Sequence, residues 1–371
     1  MSATDADATA RPIYINGRFY AQRLSGVQRY GIEIVRQLNV LASERGLAGR
    51  LRLLLPSGVE APRQDSIEVI NGGIGSGHLW TQTWCARSAR DGVLLSLAAS
   101  GPLMHPRHLC VIHDAAVFRH PEFYSRRYVL IHRAMDRVLA RTARIGTVSQ
   151  FSRNELSAML GLDRESIVVA GNGSEHLALR ADETVIDRIP LAGRPFFLLL
   201  GSPSPNKNVA VAIRALARLE GKGLMLVAVG DLDAGVFAAK SVNSEWLIRA
   251  GRLSDAEIAG LMRHARALIF PSIYEGFGIP PLEAMMHGCP VLASTAEAVR
   301  EVCGDAADYF DPHDDEALAD LMNDVLAEGA SRRAARQQRG RERAASYRWR
   351  DSAAVILDTC LELAATGVRP R

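Results

Sequence analysis

Two glutamates, Glu275 and Glu283, stand in the segment Phe270-Pro-Ser-Ile-Tyr-Glu-Gly-Phe-Gly-Ile-Pro-Pro-Leu-Glu283. Carboxylates accept hydrogen bonds and can act as acid and base. Gly276 and Gly278 let backbone N–H groups come close to a ligand. Pro280 and Pro281 suit the first turn of a helix, where a missing N–H costs nothing. This reading puts Glu283 in that first turn, near the positive end of the helix dipole. It leaves Glu275 in the preceding loop. Two acceptors on different elements suit a polyol ligand such as a sugar and a ribose. Two other assignments share the pattern. One is a plain helix-terminus acid beside a surface-loop acid; the other is the acid–base pair of a glycoside hydrolase, which spacing alone does not establish.

Other groups invite the same question. Lys207 ends the loop Gly201-Ser-Pro-Ser-Pro-Asn-Lys207, and only three of the 44 basic residues are lysines. A flexible ammonium there can follow a phosphate. His113 and Asp114 close an apolar run, where the imidazole can donate to a sugar hydroxyl and the carboxylate can orient it or help an acceptor. Gly26 lets a helix start close to an anion. Arg18 and Arg23 can receive an anionic acceptor, and Trp80 with Trp84 can line its site or simply pack in the core. His264 and His287 read as structural, and His176 receives no assignment.

Elements must position these groups. In the first half, short apolar runs at Ile13–Asn16, Leu51–Pro56, Ser66–Ile70, Val93–Leu97, Leu109–His113, Arg144–Val148 and Ser166–Val169 predict strands. Helix-period segments fall at Val27–Ser43, Ser125–Thr142 and Ser152–Leu160. The alternation predicts parallel sheet with crossover helices. It restarts after the polar stretch 181–194, which reads as a linker. Strands are then predicted at Phe196–Leu200, Leu224–Val229, Trp246–Ala250, Ala267–Phe270 and Pro290–Ala293. A helix follows at Asn208–Leu219, another opens on the capping box Ser254–Glu257, and a third starts at Pro281. Ser331–Arg343 reads as an exposed arginine-rich helix face, and Trp349–Ala365 as a last amphipathic helix.

The fold expected is α/β, with two doubly wound Rossmann-like domains facing across a cleft. Residues 1–10 form a tail, 11–180 the first domain, 195–347 the second, and 348–371 a helix returning to the first. The chain of 371 residues, 48% apolar and 23% charged, suits two such cores. No apolar run is long enough to span a membrane, and the N-terminus lacks the pattern of a secretory signal. Five scattered cysteines argue against zinc or a disulfide framework and for a reducing cytoplasm. No metal is expected. Residues 1–178 carry 21 Arg against 15 Asp and Glu, in a chain of net charge +3. A basic first half can meet an anionic surface or a diphosphate-lipid, or be an ordinary solvated face.

The whole segment Pro-Ser-x-Tyr-Glu275-Gly-Phe-Gly-x-Pro-x-x-Glu283-Ala-Met-x-x-Gly-x-Pro-Val resembles the signature of retaining GT-B glycosyltransferases of family 4. Gly251-Arg-Leu-Ser-Asp255 and Glu301-Val-Cys-Gly-Asp-Ala-Ala307 are similar to the same family. Asn16-Gly-Arg18, Ser25-Gly-Val-Gln-Arg-Tyr30, Ile112-His-Asp114 and Thr147-Val-Ser-Gln-Phe-Ser152 resemble its bacterial polysaccharide branch, many of whose members transfer mannose or rhamnose. The resemblance runs from about Ile13 to about Leu363.

By that resemblance, Glu275 binds donor-sugar hydroxyls and takes part in catalysis with His113 and Asp114, while Glu283 binds the nucleotide ribose. Gly276, Phe277 and Gly278 offer N–H groups to the sugar or diphosphate. Lys207, Arg252 and Gly26 face the diphosphate. The partners implied are a nucleotide-diphosphate sugar, GDP-mannose first, and a saccharide or lipid-diphosphate-linked acceptor. Peripheral contact with the inner membrane is also implied, with no cofactor and no nucleic acid. Relatives carry an Arg in the loop before the lysine. Here Ser202 to Asn206 replace it, so Arg252, Arg18 or Arg29 must supply that charge. A non-catalytic nucleotide-sugar binder or a GT-B epimerase stays open.

Overall fold

A computed structural model describes residues 11–178, 181–201, 204–230 and 245–366. The tail 1–10, Ser202, Pro203 and Lys240 lie outside them. Runs such as Ile13–Asn16 (β1), Val93–Ser96 (β4) and Met225–Val229 (β9) are buried at every position. That is the pattern of a parallel strand covered on both faces.

The chain divides into two compact units, Met1–Asn172 with Trp349–Arg371, and Gly173–Arg348. The first unit holds a seven-stranded parallel sheet ordered β3-β2-β1-β4-β5-β6-β7. Its other strands are β2 (Leu51–Pro56), β3 (Ile67–Gly72), β5 (His108–Val111), β6 (Arg144–Thr147) and β7 (Val168–Val169). The central β1 pairs on both sides, Ile13 with Leu51 and with Val93. The second unit has β8 (Phe196–Leu200), β10 (Leu247–Gly251), β11 (Leu268–Phe270), β12 (Val291–Ser294) and β13 (Asp308–Phe310) besides β9. Its order is β10-β9-β8-β11-β12-β13. Each sheet reverses its winding once, between β1 and β4 in the first and between β8 and β11 in the second. Connections on either side of such a point leave in opposite directions and open a crevice at the carboxyl ends of the strands.

The helix Trp349–Thr366 is part of the first unit. Trp349 is 1% exposed and meets the Tyr30 ring edge-on at 5.9 Å. Tyr30 in turn donates its hydroxyl to the Ala170 carbonyl at 3.0 Å. Arg350 forks onto Glu44 and Arg45 pairs with Asp358, tying this helix to the helix Gly26–Glu44.

Two sequence readings change. The chain enters the second unit at Gly173, upstream of the stretch 181–194 read as a linker. That stretch is packed: Val185 and Leu191 are buried, and Asp182 donates its backbone N–H to the Ala256 carbonyl at 2.8 Å. The apolar residues scattered among its polar ones decide this. The arginine-rich helix, Ala330–Ala345, is not simply an exposed face. Arg336 is 5% exposed between Glu328 and Asp308, and Gly340 lies against Met285. The capping box at Ser254 and Glu257 forms in both directions. The bonds from Ser254 and then Arg188 hold the Glu257 carboxyl down to about 2.

Truncating Trp349 removes a fully buried aromatic side chain that the surroundings cannot refill. Trp349→Ala should cost about 3–5 kcal/mol, read as a lowered urea midpoint. An unchanged midpoint would contradict this packing.

Candidate functional site

Three consecutive residues after β8 fasten its loop to the loop after β11. Asn206 donates its side-chain amide to the Tyr274 carbonyl at 3.1 Å, and its own carbonyl accepts the Ile273 N–H at 2.8 Å. Asn208 is left-handed, with φ +48°, a conformation asparagine tolerates better than most residues. Its amide reaches the carbonyls of Pro271 at 3.3 Å and Pro312 at 2.5 Å. Between them Lys207 donates to Glu275 Oε1 at 2.7 Å, its ammonium 5.3 Å from the centre of the Phe270 ring. The two side chains keep 22% and 15% exposure, so the pair is open to a ligand. Lys207 and Glu275 thus meet across the reversal between β8 and β11.

Glu283 is built differently. The helix runs Ile279–Met286, so it starts two residues earlier than Pro281, and its first turn holds no acid. Glu283 sits in the second turn, a correction to the sequence reading. The cause is Gly278, whose φ of +111° lets the chain turn into the helix at Ile279. Pro280 and Pro281 remove two of the amides a helix start would offer, which leaves Gly278 and Ile279 as donors. Glu283 accepts a bond at 2.8 Å from His176 Nε2, whose side chain is 2% exposed. A carboxylate acceptor makes this nitrogen the protonated one. Phe277 supplies packing, edge-on to Tyr347 at 5.6 Å. Gly276 lies in the loop between the two acids. Arg252 follows the edge strand β10, two strands from β8.

In the first unit His113 is 9% exposed and lies edge-on to Tyr30 at 4.9 Å. Burial pushes its imidazole down to about 4. A neutral imidazole has one N–H, and Nε2 spends it on the Leu97 carbonyl at 2.8 Å. The ring can therefore offer a ligand an acceptor nitrogen, not the donor expected from sequence. Asp114 accepts the Ala116 N–H at 2.8 Å. Nearby, Asp136 is 5% exposed, and burial followed by the Asp114 charge raises its carboxyl to about 7.

Arg18 is braced, donating to the Ser76 carbonyl at 3.1 Å and to Ser100 Oγ at 2.9 Å. Arg23 is exposed, and Gly26 opens the helix Gly26–Glu44. Trp80 is not available to an acceptor. It is 1% exposed, donates to the Gly72 carbonyl at 2.7 Å and packs on Trp84. The i, i+4 pair is core.

Sequence reasoning missed His176 and Asp136. His176 is 107 positions from its partner, and a single chain carries no sign of such a pairing. Asp136 did carry a sign, because it falls on the same helical face as Val129, Leu139 and Ala140, all buried. Among the described residues no group of three metal-ligating side chains occurs. The Asp-x-Asp pairs Asp5-Ala-Asp7 and Asp231-Leu-Asp233, overlooked in expecting no metal, lie outside the described residues.

Comparison with known proteins gives three findings. Residues 182–343 match the family model described as glycosyl transferases group 1. The chain is 27% identical over 285 residues to the O-antigen chain mannosyltransferase B of Escherichia coli, covering 73% of this chain and 74% of that one. Two solved structures share the fold. The sucrose-phosphate synthase of Thermosynechococcus elongatus has a TM-score of 0.73 at 18% identity, over 94% of this chain and 98% of that one. Anabaena HepE, solved with UDP and glucose, has a TM-score of 0.69 at 18% identity, over 94% and 99%.

Removing His176 leaves the Glu283 carboxylate buried without this partner. His176→Ala should lower stability by about 1–3 kcal/mol, with His176→Gln losing less; equal midpoints for both variants and wild type would refute the contact. Asp136 is raised from an ordinary 3.8 to about 7. Its protonated form therefore favours the fold below the ordinary value, and that stabilisation is lost as pH rises through about 7. Asp136→Asn should remove a pH-dependent loss on the order of 4 kcal/mol between pH 4 and 8. Parallel stability–pH curves for variant and wild type would contradict this.

Proposed function

We propose that this chain, a GT-B glycosyltransferase whose second unit carries the group 1 signature, moves a hexose from a nucleotide-diphosphate sugar to a hydroxyl in bacterial surface polysaccharide synthesis. Mannose is the first choice, from GDP-mannose, with retention of anomeric configuration. The acceptor is a saccharide or lipid-linked oligosaccharide. The similarity to an O-antigen mannosyltransferase over three-quarters of both chains supports the sugar and the setting.

The observation that carries the reading is the Lys207–Glu275 pair at the reversal of the second sheet, with Glu283 held apart by His176. An ammonium has three donors. One is on Glu275, and the others are aimed at the donor diphosphate. One oxygen of Glu275 is on Lys207, and its second is the acceptor for a sugar hydroxyl. Glu283 accepts from the ribose while His176 fixes the carboxylate. The amides of Gly276 and Gly278 face the diphosphate, and Arg252 is the cation assigned to the charge that Lys207 leaves unmet. The bond from the anomeric carbon to the diphosphate oxygen breaks as the acceptor oxygen bonds that carbon on the same face. The acceptor proton leaves with the departing diphosphate. Lys207 stabilises the charge that develops there, an electrostatic contribution that preorganisation makes large. His113 and Asp114 are assigned to the sugar side of this step. No metal takes part in this scheme.

No helix among the described residues is long and apolar enough to cross a membrane. We assign the chain to the cytoplasm, in peripheral contact with the inner membrane. The helix Arg126–Thr142 presents Leu130 and Ile131, 73% and 42% exposed, beside Arg126 and Arg127. Apolar side chains flanked by arginines suit an anionic lipid surface.

Nucleotide release from GDP-mannose, dTDP-rhamnose and UDP-sugars tests the reading. One donor should be turned over. Glu283→Ala should abolish its release, and Lys207→Ala should lower kcat by about 10²–10³. Near-normal turnover in Glu283→Ala would sink the assignment.

A further inference from the structure

The loops after β1, β3, β4 and β5 come together around Arg18. Arg18 follows β1 and donates to the Ser76 carbonyl, after β3, and to Ser100, after β4. Asn16 at the end of β1 adds a bond to the Ser100 carbonyl at 2.9 Å. The connection after β5 leads through Tyr124 into the helix Arg126–Thr142. Here β1 and β4 are the strands between which the first sheet reverses, the place where such sheets take ligands.

A row of four rings borders this point. Tyr124 and Tyr128 stack at 5.1 Å and 13°. Tyr128 and His132 stack at 3.9 Å and 26°. His132 meets His78 edge-on at 6.4 Å. Tyr128 and His132 are one turn apart and share a flank of the helix, and Tyr124 lies in the chain just before its Ser125 cap. The row is not core: Tyr128 is 43% exposed, His78 is exposed, and Tyr124 and His132 are partly so.

The arrangement selects a ligand chemistry. The faces of Tyr128 are spent on its two neighbours, so the row is not a platform on which a flat base can stack. It presents edges: the hydroxyl of the exposed Tyr128 and the imidazole nitrogens of its neighbours. Burial, then Arg18 for His78 and His78 with Arg18 for His132, push both imidazoles below their ordinary value. Neutral imidazoles and phenols each both donate and accept, which matches sugar hydroxyls. The charged member, Arg18, already serves Ser76 and Ser100.

We propose that the row Tyr124–Tyr128–His132–His78, braced by Arg18, is the subsite that binds the neutral saccharide of the acceptor. This rests on the transferase reading above. The test uses the purified full chain, the donor it turns over, and methyl α-mannoside and α-mannobiose as acceptors. Tyr128→Leu and His78→Ala should each raise the acceptor KM about tenfold, the effect of losing one or two hydrogen bonds. The donor KM should move less than twofold. Unchanged acceptor KM in both variants overturns the proposal; should Tyr128→Leu not fold, the exposed His78→Ala decides alone. If the wild type releases nucleotide from no donor, the transferase reading fails instead. Calorimetric binding of α-mannobiose then judges the row by itself: loss of binding in the variants supports it, and equal binding, or none to the wild type, overturns it.

Discussion

The loops after β8 and β11 start from adjacent strands and depart in opposite directions, and Asn206, Lys207 and Asn208 hold them together. The two asparagines do this with neutral bonds to backbone carbonyls. The ion pair between Lys207 and Glu275 is partly exposed, and such a pair adds little to stability. Its value is positional. Two opposite charges that would each relax into solvent are kept together, the ammonium over the Phe270 ring, before any ligand arrives. A site that need not gather its charges spends less of its binding energy on ordering them. The rest of the second unit's site depends on this fastening, because the Gly276–Gly278 turn and the helix that follows are continuous with the loop it fixes.

Glu283 shows how the other carboxylate is held without a cation. Its helix has eight residues and carries two prolines in its first turn, so it has few amide donors of its own. Packing sets its position. Met285 lies against Gly340, and Arg343 donates to the carbonyls of Glu301 and Val302, fastening the arginine-rich helix behind it. His176 then approaches from the 3-10 turn Glu175–Leu177, while His287 just past the helix bonds the Leu177 carbonyl at 3.0 Å. The turn is anchored to the helix by two histidines, one of which also fixes the carboxylate. His287, read as structural, has a partner consistent with that.

Much of this was legible in the sequence because the signals are local. Strand runs, the capping box and the prolines before Glu283 express steric and hydrogen-bonding preferences over a few residues. The order of elements then forces parallel sheets, and with them reversal points at which Lys207, Glu275 and Arg18 gather. What was not legible is set by partners far away in the chain. His113 reads as a donor to a ligand until its one N–H is found donated to the Leu97 carbonyl. Glu283 moves by a turn because the glycine before Ile279 takes up a positive φ. Trp80 is a ligand candidate by type and a core residue by burial. His176 gives no sign at all until Glu283 is brought beside it.

Several arginines of this chain and its Lys207 are held in different ways. A guanidinium offers five donors in a fixed plane, and this fold uses them as braces. Arg18 spans Ser76 and Ser100, Arg133 takes the carbonyls of Val117 and Phe118, and Arg343 takes those of Glu301 and Val302. Such an arginine is immobilised by its own bonds and cannot follow a charge that moves. At the reversal of the second sheet the cation meets one carboxylate oxygen and sits on a flexible four-carbon stem. An ammonium has three donors, and one of them is on Glu275. Arg18, Arg133 and Arg343 thus brace backbone carbonyls, whereas Lys207 meets a carboxylate on a flexible stem.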